Sequence, residues 1–398
     1  MSGARVSLGD SHNFGRHVER RAERIFKPRT LLWEWLLLAS NSPLRKLLNE
    51  AAAAEGLGPD AFGFLPTLRF WRVGARGGEV ERVQLRPLQL RTEARKRELA
   101  SITGRALALF SWLGLADLHW ENLVLGQDAE GHIAFGPLDV EMILADLSLP
   151  TQTKLLPDAD PEYAVICRHA CGVRRVLPYL GKPVAAPHLL RMAGAYRATL
   201  EFLDRRASAI AKVFSSLPLL KSAPIRVCLR GTAEYVLAGS EPLWPPLLEA
   251  ELEQLERGDV PYFFRLYGAR GIHYFGNRAL TQIKTLPLTG DVPQLDPLLS
   301  LAKRLRSPSR QKLREDGLFT LLGAFDHEGL TGTLQSDRIQ LTFGARSLRV
   351  KLPSLEELSS RRNLSAFVGS AYLPCRCGEV RSVLVPPVTL CESAKASV

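Results

Sequence analysis

The apolar positions of this chain repeat mainly at helical spacing, with shorter alternating stretches between the helical ones. The clearest helix is predicted over Thr92–Leu113, where Gly114 follows as a C-terminal cap. Ser42 and Pro43 supply an N-cap and a favourable first residue for a helix that reaches Ala54. Further helices are predicted over Thr30–Ala39, Tyr163–Leu180, Pro187–Leu217, Pro246–Glu256, Asp296–Leu305 and Ser309–Phe325.

Extended segments lie between these helices. A polar turn separates Leu123–Leu125 from His132–Phe135, which predicts a β-hairpin, and a glycine-rich turn near Gly77 predicts another within Phe64–Leu90. Shorter strands are predicted at Arg24–Arg29 and from Pro224 to Gly231, and a small meander at Gly329–Val350. With antiparallel hairpins as well as helices, the pattern predicts an α+β fold.

Composition narrows the class of protein. The 398 residues are 46% hydrophobic and 23% charged, which is ordinary for a globular protein, and the polar N-terminus has no signal-peptide pattern. Six scattered cysteines fit a reducing cytoplasm better than a disulfide framework. The net charge of +11 indicates an acidic partner. Since the basic residues are dispersed and form no recognition motif, neither a nucleic acid nor a membrane is expected as that partner.

The segment from Leu115 to Leu144 carries the most informative chemistry. Asp117, His119 and Asn122 share one loop, and Asp139 and Glu141 follow one hairpin later. In phosphoryl transfer, one carboxylate orients or deprotonates a hydroxyl, while an amide and a second carboxylate hold magnesium on the nucleotide phosphates. Protein kinases place an Asp, an Asn and a metal-binding Asp in the same order. The segment therefore predicts an ATP- and Mg²⁺-dependent phosphoryl transfer.

Four other segments are candidate site elements, each with an ordinary alternative. The Gly9–Gly15 loop contains Asp10 and His12, and either lies against phosphates or is a surface turn. Lys27 ends an early strand, where kinase-like folds place a phosphate-contacting ammonium, although a lone lysine is more often a surface residue. A third candidate is a phosphate site formed by Arg226, Arg230 and Thr232, and its alternative is a pair of solvated strand arginines. A fourth candidate is a metal site formed by Cys167, His169 and Cys171. For this fourth group we prefer the alternative, in which the three residues pack within a helix.

Taken in order, the motifs resemble one enzyme family. The chain contains GDSHNFGRHV, FKPR, ADLHWENLV, LDVE, RVCLRGTAEY and GDVPYF. From about residue 5 to about residue 325 it resembles the dehydratase domain of class II lanthipeptide synthetases, the LanM-type enzymes. ADLHWEN and GDVPYF are highly specific, and the ordered set is more specific than any one motif. The resemblance therefore outweighs the ordinary alternatives for the single motifs.

The resemblance implies a fold, a reaction and a partner. The fold is a lipid-kinase-like two-lobed core with additional helices. The reaction uses ATP and Mg²⁺ to phosphorylate Ser and Thr of a ribosomally synthesised precursor peptide, and then eliminates phosphate to leave dehydroalanine or dehydrobutyrine. By the same resemblance, phosphorylation is served by Lys27, Asp117, His119, Asn122, Asp139 and Glu141. Elimination is served by Asp10, His12, Arg226 and Thr232.

Each implied role matches the chemistry of its side chain. Lys27 would contact the nucleotide phosphates, while Asn122, Asp139 and Glu141 would hold magnesium. Asp117, oriented by His119, would accept the proton of the peptide hydroxyl.

In the second half-reaction, Arg226 would hold the leaving phosphate and Thr232 would add a hydrogen bond to it. Asp10 and His12 would assist proton movement. A peptide kinase that stops at the phosphoester and a non-catalytic protein that binds the precursor are the two competing interpretations.

The chain departs from the family pattern before its first motif and after its last one, and these departures suggest a division of the chain into three regions. The GDSH motif begins at residue 9, and the residues after 325 are too few for a cyclase domain of ordinary size. We therefore expect a stand-alone dehydratase, shortened at its N-terminus, that works with a separate cyclase or other maturation enzyme. The regions are a shortened N-lobe with a nucleotide-covering loop (1–90), a catalytic C-lobe with the elimination site (91–325), and a C-terminal extension (326–398).

Overall fold

A computed structural model gives the fold of this chain. It describes residues 6–58, 61–74, 76–156, 171–181, 184–237, 246–287, 300–323, 330–335, 338–343, 346–351, 382–385 and 388–392. The strands are β1 (Val6–His12), β2 (Arg16–Arg21), β3 (Arg24–Lys27), β4 (Phe70–Arg72), β5 (Gly78–Glu81), β6 (Leu123–Gln127), β7 (Ile133–Pro137), β8 (Pro224–Val227), β9 (Phe263–Leu266), β10 (Ile272–Phe275), β11 (Ile283–Leu286), β12 (Leu330–Gln335), β13 (Arg338–Phe343), β14 (Arg346–Lys351), β15 (Ser382–Val385) and β16 (Val388–Glu392).

Ten α-helices are described. They are α1 (Leu32–Leu38), α2 (Pro43–Ala54), α3 (Glu93–Leu113), α4 (Leu177–Leu180), α5 (Ala186–Arg205), α6 (Ala207–Ser215), α7 (Thr232–Leu237), α8 (Glu249–Glu256), α9 (Leu301–Arg306) and α10 (Pro308–Gly323). The strands pair almost entirely antiparallel, with β12 and β16 as a parallel pair. The described chain is therefore a mixed helix-and-sheet structure of the α+β kind. Within the described ranges, no helix has the length and apolarity needed to cross a membrane.

Local signals predicted several element boundaries correctly. The hydroxyl of Thr92 accepts the backbone N–H of Arg95 at the start of α3, and Gly114 ends that helix with a φ of 68°. The hydroxyl of Ser42 caps α2 in the same way, with Pro43 as its first residue. The predicted hairpins are present as the β4–β5 and β6–β7 pairs, and the meander is present as β12, β13 and β14.

Other predictions need correction. The predicted helix over Pro187–Leu217 is two helices, α5 and α6, and the predicted strand from Pro224 to Gly231 ends at Val227. The end of the Tyr163–Leu180 helix is a 3-10 turn at Gly172–Arg175 followed by α4. Residues 163–170 of that prediction, with Cys167 and His169, and residues 296–299 of another lie outside the described residues.

Two compact units make up the described chain, and each is discontinuous in sequence. The first comprises the described parts of Met1–Gln84, Asp139–Asp146 and Ala207–Arg306. The second comprises those of Leu85–Leu138, Leu147–Arg206 and Ser307–Val398. This division differs from the expected regions 1–90, 91–325 and 326–398. Arg226 and Thr232, expected with the catalytic C-lobe, belong instead to the unit that contains Lys27.

The first unit contains two antiparallel sheets. Strand order is β1-β2-β3-β5-β4 in one sheet and β11-β10-β9-β8 in the other. Helix α1 is fixed by Trp33, which is fully buried and donates its indole N–H to the carbonyl oxygen of Pro224 at 2.8 Å. The Trp33 ring also packs against Phe214 and Tyr267. This anchor holds the N-terminal end of α1 against β8.

The second unit is built on the pairing of α3 with α5. Gly104 makes the close crossing possible, because a Cβ at that position would overlap the backbone carbonyl of Met192. The indole N–H of Trp112 donates to Asp204 at 2.9 Å, which joins the same two helices near their C-terminal ends. The β6–β7 hairpin and the sheet β14-β13-β12-β16-β15 also belong to this unit.

Candidate active site

A buried ion pair marks the end of β3 in the first unit. The chain leaves the strand at Lys27, turns through Pro28–Thr30 and starts α1 two residues later. This short turn brings Lys27 Nζ within 2.8 Å of Glu34 Oε1, and the two side chains are only 9% and 2% exposed. Protein kinases hold their phosphate-contacting lysine with a helix glutamate in a similar pairing. The sequence prediction that Lys27 is more than a surface lysine agrees with this burial.

Arg29 lies at the centre of the site. Its guanidinium contacts three carboxylates, with Nη2 at 2.7 Å from Glu34 Oε1, Nε at 2.8 Å from Glu141 Oε1, and an ion pair to Asp139. Its side chain is 7% exposed. Arginine suits this position because its planar group donates in several directions and stays charged when buried. The FKPR and LDVE motifs, more than a hundred residues apart, are therefore joined by one side chain.

The two LDVE carboxylates respond differently to this environment. Burial by itself would raise the pKa of Asp139, but the charges of Arg29, Lys27 and Arg226 outweigh burial and lower it to about 2. For Glu141, burial and the neighbouring Asp139 charge raise the pKa despite the same arginines. Asp139 is thus firmly ionised, whereas Glu141 takes up a proton more readily.

Arg226 is placed by strand β8 beside the LDVE segment. Its backbone N–H donates to the carbonyl oxygen of Glu141 at 2.9 Å, and its guanidinium lies 3.7 Å from Glu141 Oε1. The same guanidinium lies 5.5 Å from the ring centroid of Tyr262, which is 3% exposed. The attraction between a cation and an aromatic face is stronger in a desolvated position than at the surface, so this contact stabilises the guanidinium there. Arg226 is therefore fixed next to the acidic pair.

His12 borders the same tyrosine. Its ring centroid is 5.7 Å from that of Tyr262, and its Nδ1 lies 2.8 Å from the carbonyl oxygen of Val260. Burial and the charge of Arg226 lower the pKa of His12. The imidazole is therefore neutral near pH 7. From the sequence, the Gly9–Gly15 loop was either a phosphate site or a surface turn. In the structure this loop places His12 close enough to Arg226 for the arginine charge to act on the imidazole.

Two of the residues assigned to elimination are more peripheral. Asp10 is exposed on β1, although its charge acts on the pKa of His12. Thr232 is the exposed first residue of the short helix α7, and among the described residues it makes no side-chain hydrogen bond to the Arg226 cluster. Arg230, considered with Arg226 as a phosphate site, instead pairs with Glu251 at 3.0 Å. The structure therefore brings together Lys27, Asp139, Glu141, Arg226 and His12.

The Asp117 loop lies in the second unit. Asp117 has a φ of 63°, an unfavourable region for a residue with a side chain, and such strain is often retained where function needs it. The amide of Asn122 donates to the Asp117 backbone oxygen at 2.9 Å and approaches its carboxylate at 3.4 Å. Lys154 Nζ lies 2.8 Å from the other carboxylate oxygen. This loop is therefore organised around the Asp117 side chain.

His119 follows Asp117 by two residues in the same loop. It is half-buried and precedes the 3-10 turn Trp120–Asn122, and its backbone pairs with Cys171. Among the residues that the structure covers, Asp117 has no hydrogen bond to His119, and its carboxylate is contacted by Lys154 and Asn122. The orienting role of His119 stays a prediction.

The acidic side chains of the first unit fit a hard divalent cation in their chemistry. Mg²⁺ prefers carboxylate oxygens, and Asp139 and Glu141 each supply them. Glu141 Oε2 is buried and has no hydrogen-bond partner among the described residues, so one acceptor is available for a ligand. Arg29 already contacts both carboxylates and would share them with a bound ion.

A second group of possible metal ligands lies on the turn between β6 and β7. Oxygen and nitrogen atoms of Asp128, Glu130 and His132 lie within 4.8 Å of one another. Glu130 and His132 are exposed. We assign no role to this group, because exposed acidic clusters are common without an ion.

Four residues of the site were missed by the sequence prediction: Arg29, Glu34, Asp259 and Tyr262. Asp259 belongs to the site because it is buried and accepts backbone N–H groups of the loop that carries His12. One signal for Glu34 was present, since a single charged residue interrupts the apolar run Leu31–Ala39. A buried charge needs a partner, so that residue pointed to an ion pair. Asp259 and Tyr262 lie within GDVPYF, whose specificity was recognised without a role for its side chains.

A scan against protein-family models gave no match to this chain, and a search of curated proteins found no significant relative.

Proposed function

We propose that this protein is an ATP-dependent dehydratase of Ser and Thr residues in a ribosomally made precursor peptide, similar to the class II lanthipeptide dehydratases. In this proposal the chain has a lipid-kinase-like core and uses ATP and Mg²⁺. The observation that carries the proposal is the cluster in the first unit. Four separate segments contribute side chains to this cluster around Arg29 and Tyr262. The side chains are those of Lys27, Asp139, Glu141, Arg226 and His12.

The first half-reaction is transfer of the ATP γ-phosphoryl group to a Ser or Thr hydroxyl. The hydroxyl oxygen attacks phosphorus, its proton passes to a carboxylate, and the bond to the β-phosphate oxygen breaks to release ADP. Asp117 is the proposed proton acceptor, and its ordered contacts with Asn122 and Lys154 support a fixed geometry. Lys27 would neutralise phosphate charge, and Asp139 and Glu141 would hold magnesium, which shields the phosphate negative charge when bound.

The second half-reaction is β-elimination. The Cα–H bond breaks, a Cα=Cβ double bond forms, and the Cβ–O bond breaks as phosphate leaves with its electron pair. A leaving phosphate needs a desolvated cation, and Arg226 is 17% exposed and fixed by Tyr262 and Glu141. Neutral His12 beside it can accept a proton at neutral pH. A kinase that stops at the phosphoester has no use for this second set of residues.

One observation favours the kinase alternative. Thr232, assigned to the elimination step, is exposed and has no hydrogen bond to the Arg226 cluster among the described residues. A peptide kinase with an incomplete elimination site therefore stands as the second candidate. The non-catalytic precursor-binding protein is disfavoured, because binding alone would not require buried charges of both signs in one place.

The test is a mass measurement on the cognate precursor peptide. The full-length protein, ATP and Mg²⁺ are incubated with that peptide, and the product is weighed. Loss of water supports the dehydratase, a lasting phosphate adduct supports the kinase, and an unchanged mass refutes both. Arg226→Ala is expected to convert water loss into phosphate accumulation, whereas Arg270→Ala, at an exposed turn, is a matched control that leaves the product unchanged.

A further inference from the structure

Asp259 of the GDVPYF motif has no role in the reaction described above, yet it is among the best-satisfied carboxylates of the first unit. The residue is 2% exposed. Its Oδ2 accepts the backbone N–H of Phe14 at 2.6 Å, and its Oδ1 accepts that of Gly15 at 2.8 Å. The single hydroxyl proton of Ser11 is shared between Oδ1 at 3.2 Å and the carbonyl oxygen of Gly258 at 2.8 Å. All three donors belong to the Gly9–Gly15 loop.

The backbone of that loop adopts a conformation that needs support. Asn13, Phe14 and Gly15 have φ values of 52°, 73° and 72°, so two residues with side chains are in the left-handed region. Consecutive N–H groups in such a turn point to one side and form an anion-binding concavity. Here the anion is the Asp259 carboxylate. Left-handed conformations are unfavourable for residues that carry a Cβ, and the charge-assisted hydrogen bonds offset this cost.

Further contacts join the same two segments. The backbone N–H of Val260 donates to the carbonyl oxygen of Ser11 at 2.9 Å, and the Ser11 hydroxyl donates to that of Gly258 at 2.8 Å. The guanidinium of Arg257 lies 4.0 Å from the ring centroid of Phe14. The loop is therefore held on both sides of His12 by the residues 257–260.

His12 receives a defined tautomer from this arrangement. Its Nδ1 faces the carbonyl oxygen of Val260 at 2.8 Å, and a carbonyl oxygen only accepts hydrogen bonds. Nδ1 must therefore carry the proton, and in the neutral imidazole Nε2 carries the lone pair. Because burial and Arg226 lower the pKa of His12, the neutral form is the one present near pH 7.

We propose that Asp259 is a positioning residue for the elimination step: its carboxylate holds the Gly9–Gly15 loop so that His12 is locked as the Nδ1–H tautomer and presents Nε2 as a proton acceptor beside Arg226. This inference deepens the proposed function and rests on it. Asp259 does not touch the peptide; it acts through His12. The proposal also gives GDVPYF a role as the docking partner of GDSHNFG.

The first experiment reads the tautomer directly. The full-length chain is labelled with ¹⁵N-histidine, and the ring nitrogens are observed by long-range ¹H–¹⁵N correlation, with His12→Gln used to assign the His12 signals among the eight histidines. The wild type is expected to show a protonated Nδ1 and an unprotonated Nε2. In Asp259→Asn the side-chain NH₂ group faces a backbone N–H group and cannot accept its hydrogen bond. The loop is then held less firmly, so we expect the two His12 tautomers to interconvert and their ring nitrogen signals to average. Glu256→Gln, an exposed change on the preceding helix, is the matched control.

The second experiment measures phosphate release from the precursor peptide synthesised with phosphoserine in its core. Misplacing a reacting group by about 1 Å costs on the order of 100-fold in rate, so Asp259→Asn is expected to slow elimination by about that factor. Phosphorylation of the unmodified peptide should change little. Ser11→Ala removes the hydroxyl contacts to Asp259 Oδ1 at 3.2 Å and to the Gly258 carbonyl oxygen at 2.8 Å but keeps the Asp259 carboxylate; it should give an intermediate loss and serves if Asp259→Asn does not fold.

Two results would overturn the inference. One is a wild-type His12 with its proton on Nε2. The other is an Asp259→Asn variant, or a Ser11→Ala variant if the former does not fold, with unchanged His12 signals and unchanged phosphate release. If the wild-type protein releases no phosphate and adds none, the proposed function itself fails. The tautomer measurement then still decides whether Asp259 positions His12.

Discussion

Replacing Arg29 by methionine removes the charge that joins three carboxylates of the first unit. Methionine keeps much of the side-chain length, so the change tests charge more than volume. Glu34 is 2% exposed and Glu141 is 11% exposed, and both would lose an ion pair within 2.8 Å. Removing one partner of a buried ion pair typically costs about 3–5 kcal/mol, because an uncompensated charge is left behind.

The structure places the expected value at the lower end of that range. Lys27 still contacts Glu34 at 2.8 Å in the variant, and Arg226 still lies 3.7 Å from Glu141. Asp139 is 29% exposed, so water compensates for part of the ion-pair stabilisation that this carboxylate loses. We therefore expect Arg29→Met to lower the free energy of unfolding by about 3 kcal/mol at pH 7. The deficit should shrink at lower pH, because the carboxylates then take up protons.

Urea denaturation followed by tryptophan fluorescence measures this change, with Trp33 as a buried reporter of the first unit. The matched control is Arg24→Met at the start of β3, which pairs with Glu79 and is 45% exposed; it should cost no more than about 0.5 kcal/mol. A cycle with Glu34→Gln should give a coupling energy of about 1–3 kcal/mol. An Arg29→Met variant within 1 kcal/mol of Arg24→Met, or a coupling near zero, would show that the central ion pair is unimportant.

Four further predictions concern the two half-reactions and the packing. Asp117→Ala is expected to abolish phosphorylation while a phosphoserine precursor peptide still loses phosphate, as measured by peptide mass. Thr232→Ala should accumulate less phosphopeptide than Arg226→Ala, since Thr232 is exposed and Arg226 is buried against Tyr262; an equal accumulation would argue against this ranking. Gly104→Ala should lower the free energy of unfolding by about 2 kcal/mol, because its methyl group would overlap the facing helix, and a thermal melt tests this. The pKa of Asp139 lies near 2, below its ordinary 3.8, so its ionised form adds stability above pH 4 that is lost as the pH falls toward 2. The stability deficit of Asp139→Asn in urea denaturation should therefore disappear over that interval.

The sequence by itself determined several of the local elements. Thr92 and Gly114 bound a long helix because a hydroxyl cap and a left-handed glycine act within a few residues of their own position. The same locality explains why Ser42 and Pro43 predicted α2 and why a polar turn predicted the β6–β7 hairpin. The ordered motifs also predicted which charged side chains to examine.

Tertiary structure alone decided which of those side chains meet. The ion pairs of Arg29 with Asp139 and Glu141 join residues at least 110 positions apart, and no local spacing encodes them. Asp259 holds a loop that lies 245 positions earlier, through hydrogen bonds to backbone groups that any sequence would possess. The sequence likewise did not predict the division into two discontinuous units, because this division depends on packing between distant segments. Long-range electrostatics and backbone hydrogen bonding leave little mark on sequence, because they depend on the position of a group in space and only indirectly on its neighbours in the chain.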